Sequence, residues 1–353
     1  MIKHNIFKML LISAFAFINC QISAQSNLCN KNLLIAFYNT ENLFDTIHDQ
    51  SKLDIEFTPD GNKKWTSERY LTKIQNISKV ISSYDSKKLP DIVGLCEIEN
   101  RKVVNDLINS NNLKKGKYSI IHHESPDIRG IDVALIYKKT NLNLISEKNY
   151  PVTLTNDARF KTRDILYAKF YVKGAKDTLH IFVNHWPSRL GGEEKSRNKR
   201  AAAAMVVKHL TDSLSKLNFK VKLLIMGDLN DEPLDFSVKE VLKAGRTDTL
   251  INSNSLYDLC LKEQLNHEGS YYYWAENKWN MIDNMIVNGN LLYAANGLKI
   301  NKTQIIIFKP DWVLTADKKG GNIPFKTYGK GYTGGFSDHL SIFTYLCFIS
   351  KNK

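Results

Sequence analysis

Eight short runs rich in β-branched and aromatic residues recur along the chain: Leu33 to Tyr38, Asp91 to Cys96, Val133 to Tyr137, Ile165 to Val172, Leu179 to Asn184, Val221 to Met226, Ile282 to Val287 and Leu340 to Phe348. Each reads as a strand, because such side chains suit a pleated, half-buried surface. Helical patterns separate some of them. Tyr70, Leu71, Ile74, Ile77 and Ile81 form one apolar stripe, with Thr66 or Ser67 as N-cap and Glu68 in the first turn. A second helix starts near Asn100, and the longest runs from about Glu194 to Leu217, with Ala201, Met205, Leu210, Leu214 and Leu217 on one face. Its basic head of Lys195, Arg197, Lys199 and Arg200 opposes the helix dipole, so those charges are either compensated locally or solvated. No repeat, low-complexity tract or Pro- or Ser-rich linker interrupts the series, and Lys309 to Gly335 reads as a Gly- and Lys-rich loop of the kind that carries function.

The polar residues are placed as pointedly as the apolar ones. Leu33 to Tyr38 runs into Asn39 and Glu41, Asp91 to Cys96 into Glu97, and Leu179 to Val183 into Asn184, His185 and Trp186. Val221 to Met226 runs into Gly227-Asp228-Leu229-Asn230, while Ile282-Asp283 and Ser337-Asp338-His339 open the last two runs. One acid at a strand end is ordinarily a turn or cap residue. Six sites drawn from the same Asp, Asn, Glu and His set are not explained that way, since turns use Ser, Gly and Lys as readily. The set offers hard oxygen ligands and two imidazoles without a thiolate or serine nucleophile, which suits Mg²⁺, Mn²⁺ or Ca²⁺ rather than structural zinc. Such a centre can hydrolyse a phosphate ester: the cation neutralises a phosphoryl oxygen, an Asp handles water, and imidazolium with Asn stabilises the developing charge.

Charge bears on the partner. With 49 Lys and Arg against 36 Asp and Glu the formal charge is +13, which favours a polyanion such as nucleic acid, phospholipid or polysaccharide. Apolar content of 43% with 24% charged residues excludes a disordered or collagenous chain. Met1 to Lys8 carries two lysines and no acid, an apolar run follows, and small residues lead to Ala24; this order reads as a secretory signal peptide cleaved after Ala24. Acylation at Cys20 is the lesser alternative, because Asn19 sits where lipoprotein sites want a small residue. Losing Lys3 and Lys8 lowers +13 to +11, so the basic character belongs to the exported protein, secreted or periplasmic. Cys29, Cys96, Cys260 and Cys347 match no zinc spacing, and Cys29 can meet Cys347 if the first and last strands pair antiparallel.

Asn39-Thr40-Glu41-Asn42, Pro90-Asp91-Ile92-Val93-Gly94-Leu95-Cys96-Glu97, Asn184-His185-Trp186, Gly227-Asp228-Leu229-Asn230, Ile282-Asp283 and Ser337-Asp338-His339 together resemble, in order, the endonuclease/exonuclease/phosphatase superfamily that includes deoxyribonuclease I. The resemblance implies an α/β four-layer sandwich: two mixed β-sheets face to face, helices outside, and one site at their common edge. Although length alone suggests about two units of roughly 150 residues, motifs spanning 39 to 339 imply one catalytic domain over 25–353, expected as a monomer without a membrane span.

Carried over residue by residue, Glu97 is the principal metal ligand, with Asn39, Glu41 and Asp338 supporting the metal or its water. Asp228 orients or deprotonates the attacking water, Asn230 holds it or the phosphate, and His339 donates to the phosphate. His185 is the second imidazole with Asp283 as its carboxylate partner, kept protonated near neutrality. Arg163 resembles an arginine that contacts substrate phosphate; Trp186 is not part of that resemblance, but lying beside His185 it is expected to line the site and bind substrate. Met281 stands where many relatives carry Arg, which bears on specificity. The substrate is expected to be DNA or RNA, with a sphingomyelinase-like or phosphoinositide phosphoesterase, or a non-catalytic polyanion-binding protein, as the rival readings. Tyr271-Tyr272-Tyr273-Trp274 can serve as a base-stacking platform, a membrane-touching loop or a strand with two rings in the core.

Overall fold

The computed structural model describes residues 32–245, 252–301, 305–317 and 320–349. The expected signal segment, Cys20 and Cys29 lie outside the described residues. The strands, in chain order, are β1 (Asn32–Leu43), β2 (Ile92–Ile98), β3 (Tyr118–His122), β4 (Asp132–Lys138), β5 (Leu142–Tyr150), β6 (Ile165–Val172), β7 (Asp177–His185), β8 (Leu223–Asp228), β9 (Ala244–Gly245), β10 (Leu256–Asp258), β11 (Tyr271–Tyr273), β12 (Lys278–Asn280), β13 (Asp283–Asn288), β14 (Gly297–Ile300), β15 (Ile306–Ile307), β16 (Leu314–Ala316), β17 (Asn322–Pro324) and β18 (Ile342–Ile349). The three longer helices are α1 (Ser67–Ser82), α2 (Arg101–Ile108) and α3 (Glu193–Leu217).

Two mixed seven-stranded sheets form the centre. One has the order β14-β18-β1-β2-β4-β3, with β15 also on β18; the other runs β5-β6-β7-β8-β13-β10-β9. Their inner faces meet through residues such as Phe37, Ile92, Leu135, Ile181, Leu224 and Met285 in one buried cluster. A second cluster fills the outer face of the β5–β9 sheet, where Tyr167, Phe182 and Ile225 meet Ala203, Ala204 and Val207 of α3. Helix α1 covers the other sheet with Ile74, Ile77, Val80 and Ile81, so the order of layers is helix, sheet, sheet, helix. The expected α/β sandwich is the fold, and all eight expected strands are present.

The first and last strands do pair antiparallel, with Asn32 opposite Cys347. Two helix faces differ from expectation. Thr66 caps α1 by accepting from the amide of Arg69, but Leu71 is exposed and Lys73 lies inside. On α3, Met205 and Leu217 are exposed, and the inward positions are Ser196, Arg200, Ala203, Ala204, Val207 and Thr211, small residues that admit a close helix-to-sheet approach. The basic head is compensated: Glu193 and Glu194 occupy the first turn, Arg197 pairs with Glu194 at 2.8 Å, and buried Arg200 pairs with Asp231 at 2.6 Å. No helix among the described residues is long and apolar enough to cross a membrane.

Candidate active site

The registers bring the polar strand ends together. Parallel pairing of β7 and β8 sets His185 beside Asp228, and antiparallel pairing of β8 and β13 sets Asp228 beside Asp283. In the facing sheet, β1 and β2 run parallel with Asn39 opposite Cys96, next to Glu97. Gly227 permits the β7–β8 approach: a Cβ there would stand 2.3 Å from the carbonyl oxygen and 2.6 Å from Cβ of Asn184. Past the regular pairing the chain is strained, with Glu41, Asn42, Glu97 and Asn230 all in the left-handed region at φ of 49°, 54°, 58° and 51°. Strain of this kind persists where surrounding contacts over-determine it. Here the amide of Asn42 donates to Glu97 Oε2 at 2.8 Å, and the amide of Asn230 donates to Asp228 Oδ1 at 2.9 Å.

His339 is the hub. One ring nitrogen, Nδ1, makes a 2.7 Å hydrogen bond with Asp283 Oδ2; the other, Nε2, lies 3.8 Å from Asp228 Oδ2 and 4.0 Å from Asp338 Oδ1. Its backbone is fixed as well: Ser337 Oγ donates to the Asn39 carbonyl at 2.8 Å and accepts from the His339 amide at 3.1 Å. Tyr271 closes over the ring at 4.9 Å. Burial alone would depress the imidazolium, but Asp283, Asp228 and Asp338 outweigh it and hold its pKa well above the ordinary value. Asn39 Nδ2 donates to Asp228 Oδ2 at 3.0 Å, tying the two sheets together at this edge.

His185 behaves oppositely, and Asp283 is not its partner. Its Nε2 lies 3.6 Å from Asp228 Oδ2 and 4.0 Å from Glu97 Oε1, while its buried Nδ1 has no hydrogen-bond partner. Burial, then the charges of Arg163, Arg129 and His339, push its pKa well below the ordinary value, so this imidazole is neutral. The reason lies in the registers: Asp283 is two strands from His185 across β8, and its carboxylate reaches His339 instead.

Three other sequence-derived assignments change. Arg163 is buried, with Nη1 on Asp127 Oδ2 at 3.0 Å and Nε on the His185 carbonyl at 3.1 Å, so it braces the site from behind rather than meeting a substrate phosphate. Trp186 is 1% exposed and donates Nε1 to Asn184 Oδ1 at 3.0 Å, so it belongs to the core and offers no stacking face. Glu41 has both carboxylate oxygens occupied, accepting from the amides of Thr327 at 2.6 Å and Tyr328 at 3.1 Å. It anchors a loop instead of opening toward a metal. Asn230, partly exposed, donates Nδ2 to the Trp186 carbonyl at 3.0 Å. Met281 is wholly buried. Asp127 and Lys73 were missed: the first is one acid in a loop, while the second interrupts an apolar stripe three residues after Tyr70, a signal that was present.

Two acids report the crowding of negative charge. Asp228 is pushed up to about 7, first by burial and then, against the opposing pull of His339, by Asp283 and Glu97. Asp338 is also pushed up to about 7, by burial, Glu41 and Glu97. The model of a family described as the Endonuclease/Exonuclease/phosphatase family matches residues 34–347, which take in both sheets and every residue of this buried edge. The chain belongs to that family.

Its members are phosphoesterases and nucleases that depend on divalent metal. The chain is similar to a solved endonuclease/exonuclease/phosphatase family protein from Bacteroides thetaiotaomicron, with 16% identity, TM-score 0.57, and coverage of 91% of this chain and 99% of that one. It is similar to the mannosyl-6-phosphatase of Bacteroides thetaiotaomicron VPI-5482 at 15% identity and TM-score 0.57, covering 90% of this chain and 100% of that one. A third likeness is to D. rerio TDP2 complexed with single-strand DNA product, at 16% identity and TM-score 0.51, covering 90% and 99%. No curated protein matches the sequence.

The family's divalent cation suits the residues present. Ligand atoms of Asp228, Asp283 and His339 lie within 4.8 Å of one another, and one of them, His339 Nδ1, is engaged by Asp283 Oδ2. Glu97 and Asp338 add carboxylate oxygens at the same edge, the Asp338 side chain being 35% exposed. An oxygen-rich set with excess negative charge fits a hard divalent ion.

Proposed function

We propose that the protein is an exported, divalent-metal-dependent phosphodiesterase that cleaves nucleic acid. The observation that carries the chemistry is the Asp283–His339 pair set beside Asp228, because it separates an imidazolium donor from a carboxylate acceptor within one buried edge. Groups whose environments push their protonation apart divide acid and base roles. A cation held by Glu97 and Asp338 would supply charge neutralisation at a phosphoryl oxygen. Asp228 takes the proton of the attacking water, and Asn230, fixed to Asp228 and to the Trp186 carbonyl, orients it. His339 donates to the phosphate as negative charge develops and the bond from phosphorus to the departing alkoxide oxygen breaks, that oxygen taking a proton from solvent, while Asp283 keeps the ring oriented and charged. Neutral His185 donates no net charge and packs against Asp228 and Glu97.

Support for a polyanionic substrate comes from the full chain's +13 charge, which stays strongly positive without Lys3 and Lys8, and from the hairpin over His339, where Tyr273 and Trp274 are exposed and Lys326 stands 5.6 Å above the Trp274 ring. Export is supported by the leader-like first 24 residues. One substrate panel tests this reading: plasmid DNA, single-stranded DNA, RNA, sphingomyelin vesicles and mannose 6-phosphate, each with Mg²⁺ or Mn²⁺ and with EDTA. Metal-dependent cleavage of nucleic acid that weakens steeply with salt is expected. Turnover of only the vesicles or only the sugar phosphate would contradict the nuclease assignment and retain the phosphoesterase one.

A further inference from the structure

Lys73 stands in the buried face of α1 among Tyr70, Ile74 and Ile77, and its side chain has no exposed surface. A buried ammonium requires hydrogen-bond acceptors and a counter-charge. It finds Thr327 Oγ1, the Phe336 carbonyl at 2.7 Å and Glu41 Oε2 at 3.6 Å. Nearly one turn further along, Asn76 Nδ2 donates to the carbonyls of Gly334 and Gly335, both at 2.9 Å. Helix α1 therefore holds the chain immediately before Ser337, Asp338 and His339. Glu41 faces the same segment from β1 through the amides of Thr327 and Tyr328. The carboxylates that act on the ammonium are Glu41, Asp338 and Glu97, the last two being the oxygens open to a cation.

We propose that Lys73 is a positioning residue of the metal centre: it fixes the loop that presents Asp338 and His339, and it holds Glu41 out of the cation's coordination sphere. Two physical consequences follow. A fixed positive charge beside Glu97 and Asp338 stabilises the crowded carboxylates without metal and weakens cation binding by repulsion. The same ammonium keeps His339 in register with Asp228, where a misplacement of about 1 Å can cost about 10²-fold in rate.

The test compares Lys73→Met and Lys73→Met/Glu41→Gln with the wild-type chain, reading Mn²⁺ affinity by electron paramagnetic resonance and turnover of bis(p-nitrophenyl) phosphate. Lys73→Met is expected to bind Mn²⁺ several-fold more tightly, because a positive charge is gone and Glu41 is released, while kcat falls by about 10-fold or more with KM little changed. A merely structural role would weaken metal binding and turnover together. The double variant removes both buried charges, so no uncompensated charge is left inside, and circular dichroism of both variants checks that they fold. It is expected to bind Mn²⁺ close to the wild-type affinity yet keep the low kcat. A single variant that binds Mn²⁺ no more tightly than wild type, or a double variant with wild-type turnover, would overturn the proposal. The inference rests on the phosphoesterase reading only for turnover; the Mn²⁺ affinities decide it separately, so the two failures are distinguishable.

Discussion

Asp283 and His339, 56 residues apart in the chain, share a 2.7 Å hydrogen bond that favours the protonated imidazole. The carboxylate is 1% exposed and the ring 6%, so water screens the pair very little. Asp283→Asn keeps the shape and removes the charge. The His339 resonances of the wild-type protein are expected to titrate well above the ordinary imidazole range, and those of the variant markedly lower. Turnover should fall by at least about 10²-fold, the usual cost of losing a positioned acid. An unchanged titration in the variant would remove Asp283 from the account.

A second expectation concerns pH. Asp228 must be ionised to accept a proton, and its pKa is raised to about 7, so kcat/KM is expected to rise as pH increases through that region and to be lost as pH falls. A bound divalent cation favours the carboxylate and moves the midpoint below about 7. His339, raised well above its ordinary value, stays protonated across this interval and deprotonates on the alkaline side. A kcat/KM profile that climbs as pH falls from neutral would contradict this division of roles.

Arg163 separates a structural from a substrate-contacting role. It neutralises Asp127, itself 4% exposed, at 3.0 Å. Arg163→Met should destabilise the protein by about 3–5 kcal/mol, the typical cost of leaving one member of a buried pair. Arg129 remains 3.4 Å from Asp127 and places the effect at the lower end. Urea unfolding reads this directly, and KM of the folded variant should stay close to wild type. A large KM increase with no loss of stability would return Arg163 to the substrate.

Gly227→Ala should act at a distance of one residue. The new Cβ meets the Asn184 backbone, so β7 and β8 must part where they carry His185 and Asp228. Overpacking of this sort costs about 1–3 kcal/mol. Turnover should drop alongside stability, and thermal melts with steady-state kinetics would show both. Wild-type values for each would mean that the edge adapts more freely than its contacts suggest.

The strands were legible because β-branched and aromatic runs depend on local chemistry, and the site was legible as a set because polar residues recur at strand ends. Partner choice was not. Whether Asp283 meets His185 or His339 depends on registers among β7, β8 and β13 and on the facing sheet, which no local pattern encodes. Arg163 and Trp186 lie near the site in sequence, yet whether such side chains point into a cleft or behind it is settled by packing against Asp127 and Asn184. Leu71 and Lys73 exchanged places for a related reason. The apolar stripe of α1 fixed the helix, but an inward lysine is tolerated only because Thr327, Phe336 and Glu41 wait for it from distant parts of the chain.

The central claim is that this edge hydrolyses phosphate diesters with a cation held by Glu97. Its most direct test is the rate of bis(p-nitrophenyl) phosphate hydrolysis by the wild-type chain and Glu97→Gln, with saturating Mg²⁺ or Mn²⁺ and with EDTA. The account requires metal-dependent turnover in the wild type, its loss in EDTA, and a fall of about 10²-fold or more in a variant that keeps the wild-type circular dichroism. Full activity of Glu97→Gln, or a wild-type rate indifferent to EDTA, would contradict it.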